Sequence, residues 1–143
     1  MKHGAVLVTP DYRLRPEHEM REAVNDIRDF WKWIDESLHD ILAGPQSLRP
    51  VDLDTTNLAI TGESGGGYFA IQTALLGLTA HPIRALIPAY APLYLDAHNR
   101  RMESNPEWAV PIGVLEEYLA KHELGRIMAR APYGSRMHLF QSM

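Results

Sequence analysis

"ITGESGGGYFA", residues 60–70, is the stretch whose reading decides the fold. Ile60 and Thr61 are β-branched and close a short apolar run, which predicts a strand over Leu58–Thr61. Gly62-Glu63-Ser64-Gly65-Gly66 follows, and residues Gly66 to Leu78 have helical character. A Gly-x-Ser-x-Gly run between a strand and a helix is the layout of a nucleophile elbow, in which a strained turn carries the serine. Chance alone gives such a run in about 4% of chains this long at average composition, so the strand–turn–helix context matters most. Small residues are expected at Gly62 and Gly66, because so sharp a turn leaves no room for side chains beside the serine. Ser64 is the candidate catalytic nucleophile. The backbone N–H of Gly65, at a helix start, is the candidate oxyanion donor. The plain alternative is a glycine-rich helix start that Ser64 merely caps.

Upstream, Ala5–Thr9 ("AVLVT") is uniformly apolar and predicts a buried strand ended by Pro10. Such runs fit a parallel sheet covered on both faces. "DYRLRPEH" then prepares a helix, with Pro16 suited to its first position and Glu17 and Glu19 to the positive end of its dipole. Met20, Val24, Ile27, Phe30, Trp31, Ile34, Leu38 and Ile41 recur at helical spacing, and Gly44-Pro45 ends the run. The cluster Phe30-Trp31-Trp33 reads as core packing. Downstream, "IRALIPAY" predicts a third strand over Arg84–Ala89, and an amphipathic helix is expected around Gly113–His122. Strands alternating with helices over short links indicate an α/β protein with a parallel sheet.

Composition excludes several functions. The 143 residues carry a net charge of -4 with no basic run, so nucleic acid and anionic membranes find no electrostatic footprint. There is no cysteine, hence no disulfide, thiolate or cysteine-based zinc chemistry. None of the seven histidines has metal-ligand spacing. No metal and no cofactor are expected. No run reaches the length of a membrane span and none resembles a signal peptide, so a cytoplasmic location is expected.

"TPDYRLRPEH" (residues 9–18), followed by an amphipathic helix and "GESGGG" (62–67), resembles the hormone-sensitive-lipase-like esterases, the α/β-hydrolase fold-3 family, in its fungal form. The family pattern reads D-Y-R-L-A-P-E-H, then G-D/E-S-A-G-G. Arg15 and Gly65 stand where alanine is usual. The resemblance covers residues 5 to about 95. It implies a partial α/β-hydrolase fold, a mostly parallel sheet with flanking helices, incomplete at both ends. Residues 1–95 would form the core with the elbow and 96–143 a cap-like or linking segment of one domain. It further implies hydrolysis of a small-molecule carboxylic ester through an acyl-enzyme on Ser64, with the Gly65 amide as one oxyanion donor. Asp11, Arg13 and Glu17, which match motif positions, are read as a structural ion-pair and hydrogen-bond cluster.

In the family an H-G-G-G loop precedes D-Y-R-L, and the triad acid and histidine follow well after the elbow. Here only His3-Gly4 precede the first strand, without the further glycines of that loop, and the sequence stops at Met143, so the triad acid and histidine are expected to be absent from this chain. His98, with Asp96, is the least remote stand-in for the base. The missing strand would lie between Val6–Val8 and Leu58–Ile60 and leave them about 9.5 Å apart. Either those strands pair directly or the chain folds poorly. The aromatic-rich helix stripe would exceed what three strands cover, which favours self-association. The alternative function is a non-catalytic relative, binding a ligand as plant gibberellin receptors do, or an inactive truncated protein.

Overall fold

A computed structural model of the chain describes residues 4–45, 49–94, 100 and 112–121. Helix α1 (Met20–Trp33) runs without a break through a π-helical turn (Ile34–Leu38) into α2 (His39–Ala43). Strand β1 (Leu58–Glu63), helix α3 (Gly65–Leu75) and strand β2 (Ile83–Ala89) follow, then α4 (Ile112–Lys121). The strand–helix–strand unit is the one expected around the elbow, with ends moved by a few residues. β1 and β2 pair in parallel, from Leu58 opposite Ile83 to Glu63 opposite Ala89, with an irregularity between Leu58 and Ala59. The protein is therefore α/β, a small parallel sheet with flanking helices.

The chain divides into two compact units. One comprises Met1–Pro10 and Val24–Pro92, the other Asp11–Ala23 and Leu93–Met143.

In the first unit, α3 packs on both strands. Its buried residues Gly67, Phe69, Ala70 and Thr73 form the core together with Ile27, Trp31 and Leu38. Thr73 is the most enclosed side chain, at 2% exposure. Its hydroxyl donates to the Phe69 carbonyl at 2.9 Å and accepts the Trp31 indole N–H at 3.3 Å. A buried polar group is tolerated when its hydrogen bonds are made, and here both are. Of the aromatic cluster, Trp31 is buried and meets the half-buried Phe30 edge-on, whereas Trp33, stacked beside Phe30, is exposed and not part of the core. Ile41, expected on the same stripe, is exposed.

α3 ends at Leu75, three residues before the expected Leu78. Gly77 takes φ +57°, the Leu78 N–H donates to the Thr73 carbonyl and the Gly77 N–H to that of Ala74. This is a Schellman ending, which closes a helix where a left-handed glycine is available.

The expected strand Ala5–Thr9 does not form. Those residues join no sheet, Val6 and Val8 are half-buried, and Leu7 is 83% exposed. Apolar, β-branched composition favours extension, but a strand needs a neighbour whose backbone completes its hydrogen bonds. β1 finds that neighbour in β2, and Val6–Val8 makes no ladder with Leu58–Ile60. Every position of the two strands is half-buried or exposed, with Leu86–Pro88 of β2 exposed in succession, so the two-sided burial expected of a parallel sheet is not observed among the described residues.

In the second unit, α1 begins at Met20 and not at Pro16, which lies in a turn after a cis peptide bond. Glu22 sets that boundary. Its carboxylate accepts the Glu19 N–H at 2.9 Å, the back-bond of a capping box. Arg13 pairs with the same carboxylate at 2.8 Å, and His18 lies 3.5 Å from it. The Glu19 N–H first, and then Arg13 and His18, hold the Glu22 carboxyl below its usual range. Tyr118 of α4 donates to Glu17 at 2.7 Å.

Candidate active site

Beyond the last residue of β1 the chain turns at once into α3, and Ser64 makes the turn with φ 49° and ψ −119°. Tyr90, immediately after β2, has φ 39°. These are the only non-glycine residues with positive φ among those described. They follow Glu63 and Ala89, which are paired across the sheet. Strained backbone thus collects at the carboxyl ends of two adjacent parallel strands, where open α/β sheets hold their ligands.

A residue so placed costs about 1–3 kcal/mol and persists only where its surroundings over-determine it. Two hydrogen bonds and two close approaches constrain Ser64. Its N–H donates to the Ala89 carbonyl at 3.0 Å, and its own carbonyl accepts the Tyr68 N–H at 3.0 Å. At Gly62 a Cβ would overlap the Gly66 carbonyl, so the first turn of α3 lies directly on the end of β1. At Gly67 a Cβ would come within 3.0 Å of the Ala91 Cβ and the Gly62 carbonyl oxygen. Gly66, expected to be sterically required, has open space where a side chain would go. The second close approach belongs to Gly67, because the helix has turned its next residue toward β2.

The Ser64 side chain is exposed and makes no capping hydrogen bond. The capping alternative therefore fails: the residue occupies the N-cap position without doing the work of a cap. The Gly65 N–H has no acceptor among the described residues. It lies at the start of an 11-residue helix, where unsatisfied amides carry positive potential. Beside them the exposed Glu63 carboxylate accepts the Tyr90 hydroxyl at 2.7 Å. Nothing in the sequence marked Tyr90. The pairing register is what brings it next to Glu63.

The described histidines are occupied elsewhere. His18 is near Glu22, and His39 lies 3.6 Å from Asp40 and 3.8 Å from Asp52. His81 Nε2 is 2.6 Å from Asp35 Oδ1, an arrangement that would suit a base and its orienting acid. It precedes Ile83, however, at the amino end of β2, whereas Ser64 follows the carboxyl end of β1. The strand between separates them by about 20 Å, so His81 does not serve Ser64. His98 and Asp96, with His3, His122 and His138, lie outside the described residues. Of the motif charges, Arg13 and Glu17 make the contacts given above and Asp11 is exposed. Among the described residues there is no group of side chains that could hold a metal ion, and no helix is long and apolar enough to cross a membrane.

The model of a family described as "alpha/beta hydrolase fold" matches residues 1–134. "Probable carboxylesterase M8" of Phoma sp. is 36% identical over 102 residues, covering 69% of this chain and 30% of that protein. "Probable carboxylesterase clz11" of Cochliobolus lunatus is 37% identical over 98 residues, 66% of this chain and 42% of that protein. "Non-reducing polyketide synthase atr1" of Stereocaulon alpinum is 28% identical over 113 residues, 75% of this chain and 4% of that protein. The chain thus aligns with less than half the length of the curated relatives it matches. No solved structure matches it.

Proposed function

The chain belongs to the alpha/beta hydrolase fold family, and from that premise we propose that it carries the nucleophile segment of a carboxylic-ester hydrolase, with Ser64 as nucleophile. The observation that carries the reading is the strained, uncapped serine at the carboxyl end of β1. The names of the two probable carboxylesterases support a carboxylic ester as the class of substrate, and we take it to be a small molecule.

Ser64 Oγ attacks the ester carbonyl while a base takes its proton. The carbonyl oxygen becomes an oxyanion and meets the Gly65 N–H, whose position at the helix start is worth more to a full negative charge than to a neutral carbonyl. Collapse of the tetrahedral intermediate breaks the bond to the leaving oxygen, which takes up a proton and departs as the alcohol. Water then hydrolyses the acyl-enzyme, releasing the acid and restoring the serine. In this reading the base and its acid come from outside the described residues.

Hydrolysis of p-nitrophenyl acetate and butyrate by the wild type and by Ser64→Ala tests it. The substitution is expected to lower the Ser64-dependent rate by at least about 100-fold. An unchanged rate would overturn the assignment. A second reading, a relative that binds its ligand without turnover, is favoured by one observation: no described histidine bonds to Ser64. It predicts saturable binding of an ester or acid with no burst of p-nitrophenol.

A further inference from the structure

We propose that Tyr90 and Glu63 form a positioning clamp for the Ser64 turn, a role that rests on the assignment of Ser64 above. Each of the two strained residues, which follow neighbouring strands, is tied to the last residue of the other strand. The Ser64 N–H reaches across to the Ala89 carbonyl, and the Tyr90 hydroxyl reaches back to the Glu63 carboxylate. The Glu63–Ser64 peptide is held by backbone on one side and by a side chain on the other. Rotation about ψ of Glu63 would break the first tie, and the second holds Glu63, from which that rotation starts, to the end of β2.

Burial does not explain this arrangement. Tyr90 is 73% exposed, so its ring contributes little to the core, and tyrosine is disfavoured at φ 39° where glycine would be free of strain. What the tyrosine supplies is a hydroxyl at 2.7 Å from an exposed carboxylate, within the short range of charge-assisted bonds. Glycine at 90 could not make that bond. The clamp has two chemical effects. It limits the directions open to Ser64 Oγ and the Gly65 N–H, which must converge on one reacting carbon and its oxygen. It also commits an oxygen of Glu63, the carboxylate next to the nucleophile, to a donor.

Tyr90→Phe and Glu63→Ala each remove the bond. Glu63→Gln keeps an acceptor for the phenol and is the conservative rescue. Amide hydrogen exchange in the intact chain provides a readout independent of activity. Tyr90→Phe and Glu63→Ala are expected to speed exchange of the Ser64 amide about tenfold, the scale of one hydrogen bond to a charged group. Amides of Ala59 and Ile60 should be unchanged, and Glu63→Gln should retain most of the protection. Equal Ser64 exchange in wild type and in both variants, or a loss spread evenly along β1, would overturn the clamp. Labelling by a fluorophosphonate supplies the second readout. Its rate at Ser64 is expected to fall about tenfold in Tyr90→Phe and Glu63→Ala and to recover in Glu63→Gln. A wild type that never labels would count against Ser64 as nucleophile, and the exchange data would still decide the clamp.

Discussion

Ser64 keeps a backbone conformation that costs free energy in order to expose a hydroxyl that bonds to nothing within the described residues. Relief of that strain by glycine should therefore stabilise the fold and remove the proposed nucleophile together. Ser64→Gly is expected to raise stability by about 1 kcal/mol, read as a higher Tm, while abolishing the Ser64-dependent ester hydrolysis. Ser64→Ala, which keeps a Cβ at positive φ, should lose the hydrolysis without the gain in Tm. The glycines around it are not equivalent. Gly62→Ala would drive a methyl into the Gly66 carbonyl and should cost more than about 2 kcal/mol. Gly66→Ala meets open space on a helix and should be neutral or stabilising by up to about 1 kcal/mol. Urea titrations of the two variants make the comparison. Equal losses would show that the close approach at Gly62 is not what sets the turn.

At the scale of elements, the contact between α1 and α3 depends on one buried polar pair. Thr73→Val keeps the shape but leaves the Trp31 N–H without its acceptor, and should cost about 1–3 kcal/mol. Adding Trp31→Phe to Thr73→Val removes the unsatisfied donor as well. The double variant should lose less than the sum of the singles, measured as a double-mutant cycle. The turn that leads into β1 has an electrostatic device of its own. Asp54 accepts the hydroxyl and N–H of Thr56 and the side-chain amide of Asn57. Those bonds hold its carboxyl below its ordinary value of 3.8. A depressed carboxyl contributes stability above its unfolded value and loses it as pH falls through the folded value. The Tm advantage of wild type over Asp54→Ala should thus be full near neutrality and shrink in acid below 3.8. An advantage that stays constant into strong acid would show that the carboxylate charge is not involved.

At the scale of the whole molecule, apolar surface is the most consequential feature. In the first unit Leu75 and Ile87 are 73% and 59% exposed, and Leu7 and Leu76 are exposed as well. Self-association is the expected outcome, with a sedimentation coefficient that rises with concentration. Leu75→Lys and Ile87→Lys should reduce it. If the wild type stays monomeric across that range, this surface does not drive association.

The strand-to-helix turn at Ser64 was legible because its determinants are local. β-branched residues before Gly62, small residues through the turn and apolar residues after it act over a span of about ten residues, and each favours the observed conformation on its own. Ala5–Thr9 has similar composition but joins no sheet, because a strand is a relation between two segments and composition describes only one. The capping role of Glu22 and the close approach at Gly67 were missed for the same reason: each depends on where another residue lies. By itself, then, the sequence determined a serine on a strand-to-helix turn in an α/β chain. Only the tertiary structure decided that Ala89 and Tyr90 would hold that turn and that His81 would lie at the wrong end of its strand. Local preference acts through neighbours in the chain, whereas register and distance across a sheet are set by partners that the chain must fold to meet.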